Sequence, residues 1–134
     1  MPGTSRGREH PGGAGVAWWR WTVVAAYLLA LFLASSRSRL PAVPGQPSDK
    51  LLHFAAYAVL AVLVIWAATR GRWRLATGRV VLAAAFGCTA YGITDEIHQR
   101  FVPNRNADVA DVLADALGGL TAGGAVWALS LIHI

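Results

Sequence analysis

A chain of 134 residues has room for one domain, and 55% hydrophobic against 14% charged residues takes it out of the soluble range and into the membrane class. The lone cysteine, Cys88, excludes a disulfide framework within the chain and reads as a packed side chain. A net charge of +5 does not point to nucleic acid, because the arginines stand at the ends of apolar runs instead of forming one basic face.

Residues 1–15 mix Gly, Pro and charge without periodicity, so a disordered tail is expected there, with residues 16–134 forming the membrane domain. Trp18, Trp19, Arg20 and Trp21 make an aromatic and basic collar suited to the headgroup level. Val16 to Ser36 is long enough to span a bilayer. A basic start, an apolar stretch and small residues Ala34-Ser35-Ser36 also fit a cleaved signal peptide, but three further spans follow and favour an anchor. Residues 37–48 carry three prolines and a glycine and predict an extended loop. Ser48 or Asp49 can cap a second helix, from about Lys50 to Thr69. After a short basic loop, Arg70 to Arg74, a third helix is expected from about Arg79 to Gln99, with Pro103 beyond its end. The fourth starts near Ala107 and reaches the C-terminus. The expected fold is all-α, a bundle of four transmembrane helices.

Lys and Arg number seven on the side of the N-terminus and the second interhelical loop (Arg6, Arg8, Arg20, Arg70, Arg72, Arg74, Arg79) and five on the other (Arg37, Arg39, Lys50, Arg100, Arg105). The positive-inside rule therefore predicts a multi-pass protein of the cell membrane with both termini cytoplasmic. The last six residues, 129–134, match a translated transposon end used in sequencing libraries, so they are read as an artefact and His133 is given no functional weight.

Charge inside a membrane span is costly and is expected to be paired or functional. Helix geometry places Asp95 and Gln99 on one face of the third helix, with Tyr91 and His98 beside them, and sets Glu96 where Arg100 could pair with it. Asp108, Asp111 and Asp115 fall in one stripe of the fourth helix, continued by Gly118, Gly119 and Ala122, where a neighbour could approach closely. Asp49 and His53 are i, i+4 in the second. Antiparallel packing brings His53, Asp95 and Asp111 to one depth, a polar layer near the outer membrane face.

Three chemistries could use this layer. Asp95, Asp111 and His53 are candidate ligands for a divalent cation, Mg²⁺ or Ca²⁺ by oxygen preference or Zn²⁺ where His53 joins. His53, Asp95 and Glu96 are candidate catalytic groups for acid–base work on a lipid-linked or phosphorylated substrate. Asp49, Lys50, Gln99, Arg105, Asp108 and Asp111 are candidate substrate contacts, with Arg105 suited to a phosphate or carboxylate. Against these stands a structural lock, in which Arg105, Lys50 and His53 neutralise the aspartates and align helix ends. Asp49 and Asp108 also suit helix caps.

Two segments resemble a known family. Asp49-Lys50-Leu51-Leu52-His53-Phe54-Ala55-Ala56-Tyr57 is similar to the D-K-x-x-H-x-x-x-Y signature of VanZ-like proteins, and Asp95 to Arg105 with Asp108 and Asp111 is similar to their D-E-x-x-Q-x-F-x-P-x-R-x-x-D-x-x-D block. Asn104 stands where the family often has Gly, and Asp115 where it often has Asn. The resemblance implies a small polytopic membrane protein, named for a member associated with low-level teicoplanin resistance. It makes membrane lipid, a lipid-linked cell-wall precursor or a lipoglycopeptide the expected partners, without naming a reaction. A membrane-embedded hydrolase or transferase and a small proton-coupled carrier stay open beside that reading.

Overall fold

The computed structural model describes residues 18–38 and 44–132. The expected tail, 1–15, and His133 lie outside the described residues. Those described fold as four helices, α1 (Trp18–Ser35), α2 (Asp49–Ala68), α3 (Gly78–Gln99) and α4 (Val109–Ile132), with a short 3-10 turn at Trp73–Leu75 and no strand. All four are long and apolar enough to cross a membrane. At about 1.5 Å per residue they span roughly 27–36 Å, which brackets a hydrocarbon core of about 30 Å. The all-α, four-span architecture is the one the apolar runs predict.

Local chemistry sets the helix starts. The Ser48 hydroxyl accepts a hydrogen bond from the Leu51 N–H at 3.2 Å, and the Thr77 hydroxyl accepts from Val80 N–H at 3.4 Å. α4 begins two residues later than its apolar pattern suggests. Asp108 stays outside the helix and its Oδ1 accepts from Ala110 N–H at 2.8 Å, which is the work of a cap. Asn104 has φ +60°, the left-handed region that favours Gly, and Asn is among the few other residues that enter it readily. Asn104 thus makes a turn that a glycine would also make.

Helices α2 and α4 make the most extensive contact. At Gly118 of α4 an added Cβ would run into the Phe54 carbonyl oxygen of α2 and lie 3.0 Å from its carbonyl carbon, so the two backbones touch because no side chain intervenes. Gly123 makes room instead for a side chain, Val81 of α3, whose Cγ1 a Cβ would meet at 2.8 Å. The core between these helices holds Tyr57, Leu60, Ala61, Ile65, Ala84 and Cys88. α1 lies at the side, tied in by the Tyr27 hydroxyl donating to the Ala56 carbonyl (2.9 Å) and by Tyr91 donating to the Leu28 carbonyl (2.7 Å).

The outward faces are strongly apolar. Leu29, Leu82, Phe86 and Leu117 stand exposed along the helix lengths, as side chains facing lipid do. At the end where α1 begins, Arg20 lies over both the Trp19 and Trp66 rings, 5.0 and 5.5 Å from their centroids. The opposite end carries the acidic residues.

Candidate functional site

Six of the seven acidic residues in the chain, Asp49, Asp95, Glu96, Asp108, Asp111 and Asp115, gather at the end where α1 and α3 finish and α2 and α4 start. Asp95, Glu96, Asp111 and Asp115 are buried there. Two fixed cations, Lys50 and Arg105, and the imidazole of His53 face them. Carboxylates outnumber cations, and buried carboxylates need hydrogen bonds or counter-charge.

Each helix contributes by its register. On α3, Asp95 accepts from the Ser35 hydroxyl at 2.5 Å through Oδ1 and from Gln99 Nε2 at 3.0 Å through Oδ2, the second being the i, i+4 pair of one face. Gln99 Oε1 in turn accepts from Arg105 Nη1 at 3.2 Å. Arg105 also donates from Nε to the Arg37 carbonyl (3.1 Å) and from Nη2 to the Ala34 carbonyl (3.3 Å). Its guanidinium therefore fastens the end of α1 to α3, a duty that competes with gripping a free anion.

Glu96 does not turn towards Arg100. Its Oε2 accepts from the Asp108 backbone N–H at 2.8 Å, so the carboxylate of α3 anchors the chain just before α4. Asp108 completes this corner by accepting from Lys50 Nζ at 3.0 Å. Both Asp108 carboxylate oxygens are thus engaged, one on a helix start and one on lysine.

The centre of the layer is His53. Its Nδ1 lies 2.9 Å from Asp115 Oδ1, and its Nε2 lies 4.0 Å from Asp49 Oδ2 and 3.9 Å from Asp111 Oδ2. The ring stacks on Tyr57, whose hydroxyl is buried without a hydrogen-bond partner. Glu96 Oε1, Asp111 Oδ1 and Asp115 Oδ2 are likewise buried without a hydrogen bond, though Lys50 Nζ lies 3.7 Å from Asp111 Oδ1. Room for Asp115 comes from Gly92 of α3, where a Cβ would sit 2.5 Å from Asp115 Oδ2.

A cavity of about 170 Å³ opens beside this centre between α1, α2 and α3. Apolar Leu31, Ala34, Leu52 and Ala56 line it together with polar Ser35, Asp49, His53, Asp95, Gln99 and Arg105.

The structure thus gathers the sequence-derived candidates into the Glu96–Asp108–Lys50 corner and two further groups. Asp49, His53, Asp111 and Asp115 form one, and Asp95, Gln99 and Arg105 form the other with Ser35. Asp95, considered a metal ligand alongside His53 and Asp111, points to Ser35 and Gln99, whereas Asp49 stands with His53 and Asp111 as a set able to hold an ion. Ser35 and Ser36 were not singled out as site residues. Ser36 meets His98 Nε2 at 2.9 Å. Their signal was two adjacent hydroxyls closing an otherwise apolar run.

Fold and layer together define a multi-pass membrane protein with a titratable, carboxylate-rich centre at one end of its bundle. The chain matches the VanZ/LLP1 family over residues 16–131 and belongs to that family. It is also similar to an uncharacterized protein of Schizosaccharomyces pombe, 27% identical over 99 residues, a match covering 74% of this chain and 59% of the relative. The chain therefore matches about three-fifths of that relative's length. No solved structure matches it.

Proposed function

We infer that this VanZ-family protein acts at the outer face of the cytoplasmic membrane, with both termini in the cytoplasm, on a lipid-linked component of the cell envelope. The observation that carries this reading is the mixed lining of the cavity. Leu31, Ala34, Leu52 and Ala56 offer apolar surface, and Ser35, Asp49, His53, Asp95 and Gln99 offer hydrogen-bonding groups beside it. A molecule with a polar head on a hydrocarbon stem matches both kinds of surface, whereas a free polar solute matches only one. The charge balance of the loops supports the orientation, since the end opposite the layer holds more arginines. The family's association with teicoplanin, a lipidated glycopeptide that acts on lipid-linked wall precursors at the outer leaflet, agrees with this class of partner.

A second reading, a membrane-embedded hydrolase or transferase, is favoured by the His53–Asp115 pair at 2.9 Å. An oriented imidazole at the edge of such a cavity is the usual starting point for acid–base chemistry.

The test is lipid retention. Protein purified gently from native membranes is analysed by native mass spectrometry beside Ala56→Trp, which fills the cavity from its apolar lining. Wild type retains a lipid-linked species that the variant loses at unchanged helical content, and expression of wild type but not Ala56→Trp raises teicoplanin tolerance. Equal retention by the two proteins refutes the cavity as the binding place.

A further inference from the structure

His53 Nδ1 and Asp115 Oδ1 lie 2.9 Å apart, so when Asp115 is ionised the proton between them sits on Nδ1 and the Nε2 lone pair points away from Asp115. Nε2 then faces Asp49 Oδ2 at 4.0 Å and Asp111 Oδ2 at 3.9 Å, distances too long for hydrogen bonds. One ligand atom from each of Asp49, His53 and Asp111 lies within 4.8 Å of the other two.

A second observation comes from Asp111. Its side chain is 3% exposed, and Oδ1 has no hydrogen-bond partner. Lys50 Nζ lies 3.7 Å from that oxygen and is bonded at 3.0 Å to Asp108. A buried carboxylate in this state is stabilised by whatever supplies positive charge next to it, and the two groups flanking its other oxygen are a metal-ligating imidazole and a second carboxylate.

We propose that Asp49, His53 and Asp111 bind one divalent transition-metal ion, of the zinc or manganese class, with Asp115 orienting His53 from behind. Imidazole nitrogen favours these metals over Mg²⁺ or Ca²⁺, which prefer all-oxygen sites. A carboxylate bonded to the far nitrogen of a ligating histidine is the common second-layer partner in such centres, and it fixes the ring while raising its basicity. Neighbouring ligand atoms around zinc or manganese sit roughly 3–3.6 Å apart, so the three groups draw together by about 1 Å on loading. Asp49 and His53 also line the cavity, so an ion held by them would stand at its edge. The metal's role there rests on the envelope-lipid reading: it would hold and polarise a phosphoryl oxygen of the bound head, which offsets the repulsion between an anionic head and so many carboxylates.

The test measures metal without lipid, so its failure removes the ion and leaves the lipid reading standing. Metal-stripped protein in detergent is dialysed against Zn²⁺ or Mn²⁺ and the bound ion is counted by elemental analysis. One ion per chain is expected. Asp49→Asn and Asp111→Asn each weaken binding at least about 10-fold, and Asp115→Asn weakens it about 10- to 100-fold. Glu96→Gln removes the same unit of charge from the same layer and leaves the affinity within about 2-fold. Pulsed electron paramagnetic resonance of Mn²⁺ on unaltered protein adds a readout independent of variant folding, namely nitrogen coupling from one imidazole. Absence of a stoichiometric ion, absence of that coupling, or equal weakening by Glu96→Gln would overturn the proposal.

Discussion

Gly118→Ala is the sharpest test of how the bundle supports its polar layer. The added methyl group meets the Phe54 backbone, with the carbonyl carbon at 3.0 Å and Cα at 3.1 Å, and a backbone cannot rotate aside as a long side chain can. α2 and α4 must therefore separate, and overpacking of this kind costs about 1–3 kcal/mol. Replacing a helical glycine by alanine also gains up to about 1 kcal/mol in helix propensity, which partly masks the loss. Gly124→Ala isolates the two terms, because it lies in the same helix with nothing within 4 Å of its Cβ position and receives the propensity gain alone. The difference between the variants is then the contact itself, roughly 5- to 150-fold in the unfolding equilibrium. Denaturation of both proteins in matched detergent, followed by circular dichroism, measures it. Phe54 adjoins His53 and Gly118 is one turn from Asp115, so Gly118→Ala should also stretch the 2.9 Å His53–Asp115 contact. Equal stability of the two variants would refute backbone contact as the basis of the α2–α4 interface.

Other outcomes follow from single residues. Arg105→Ala removes donors to Gln99, Ala34 and Arg37 and should destabilise the folded protein by about 1–3 kcal/mol in thermal unfolding, with Arg105→Lys restoring less than half because an ammonium cannot span three acceptors. Asn104→Gly should leave stability within about 0.5 kcal/mol, whereas Asn104→Val should cost at least about 1 kcal/mol at its φ of +60° in the same assay. For membrane orientation, single cysteines are introduced in a Cys88→Ser background. Gln46→Cys should react with an impermeant maleimide in intact cells, and Arg72→Cys only after permeabilisation; the reverse pattern would invert the protein and its site.

Much of the architecture was legible because lipid imposes a simple code. Apolar runs of spanning length separated by Pro- or Arg-rich loops leave little choice but four helices, and antiparallel order then brings His53, Asp95 and Asp111 to one end. The partners within that layer were less legible. Glu96 has Arg100 one turn away in sequence, yet a backbone N–H at Asp108, brought close by the Pro103–Asn104 turn, takes its carboxylate. Asp95 and Asp49 exchange places between the hydrogen-bonded group and the ion-competent one because side-chain direction depends on how α2 and α3 rotate about their axes, and smooth apolar helices carry little information about rotation. Ser35 makes the same point: its bond to Asp95 depends on where α1 lies against α3, which a run of leucines does not encode.

α1 has a further consequence through its lateral position. It forms one side of the cavity and is joined to α2 and α3 by the hydroxyls of Tyr27, Tyr91, Ser35 and Ser36, the guanidinium of Arg105 and the packing of Val24 on the core, rather than through a backbone-to-backbone seam such as that of α2 and α4. On the lipid-linked reading, a guest of that cavity would arrive from the bilayer rather than from bulk water. Its occupancy would then follow mole fraction in one leaflet, and dilution with detergent micelles, rather than with buffer, would empty the protein.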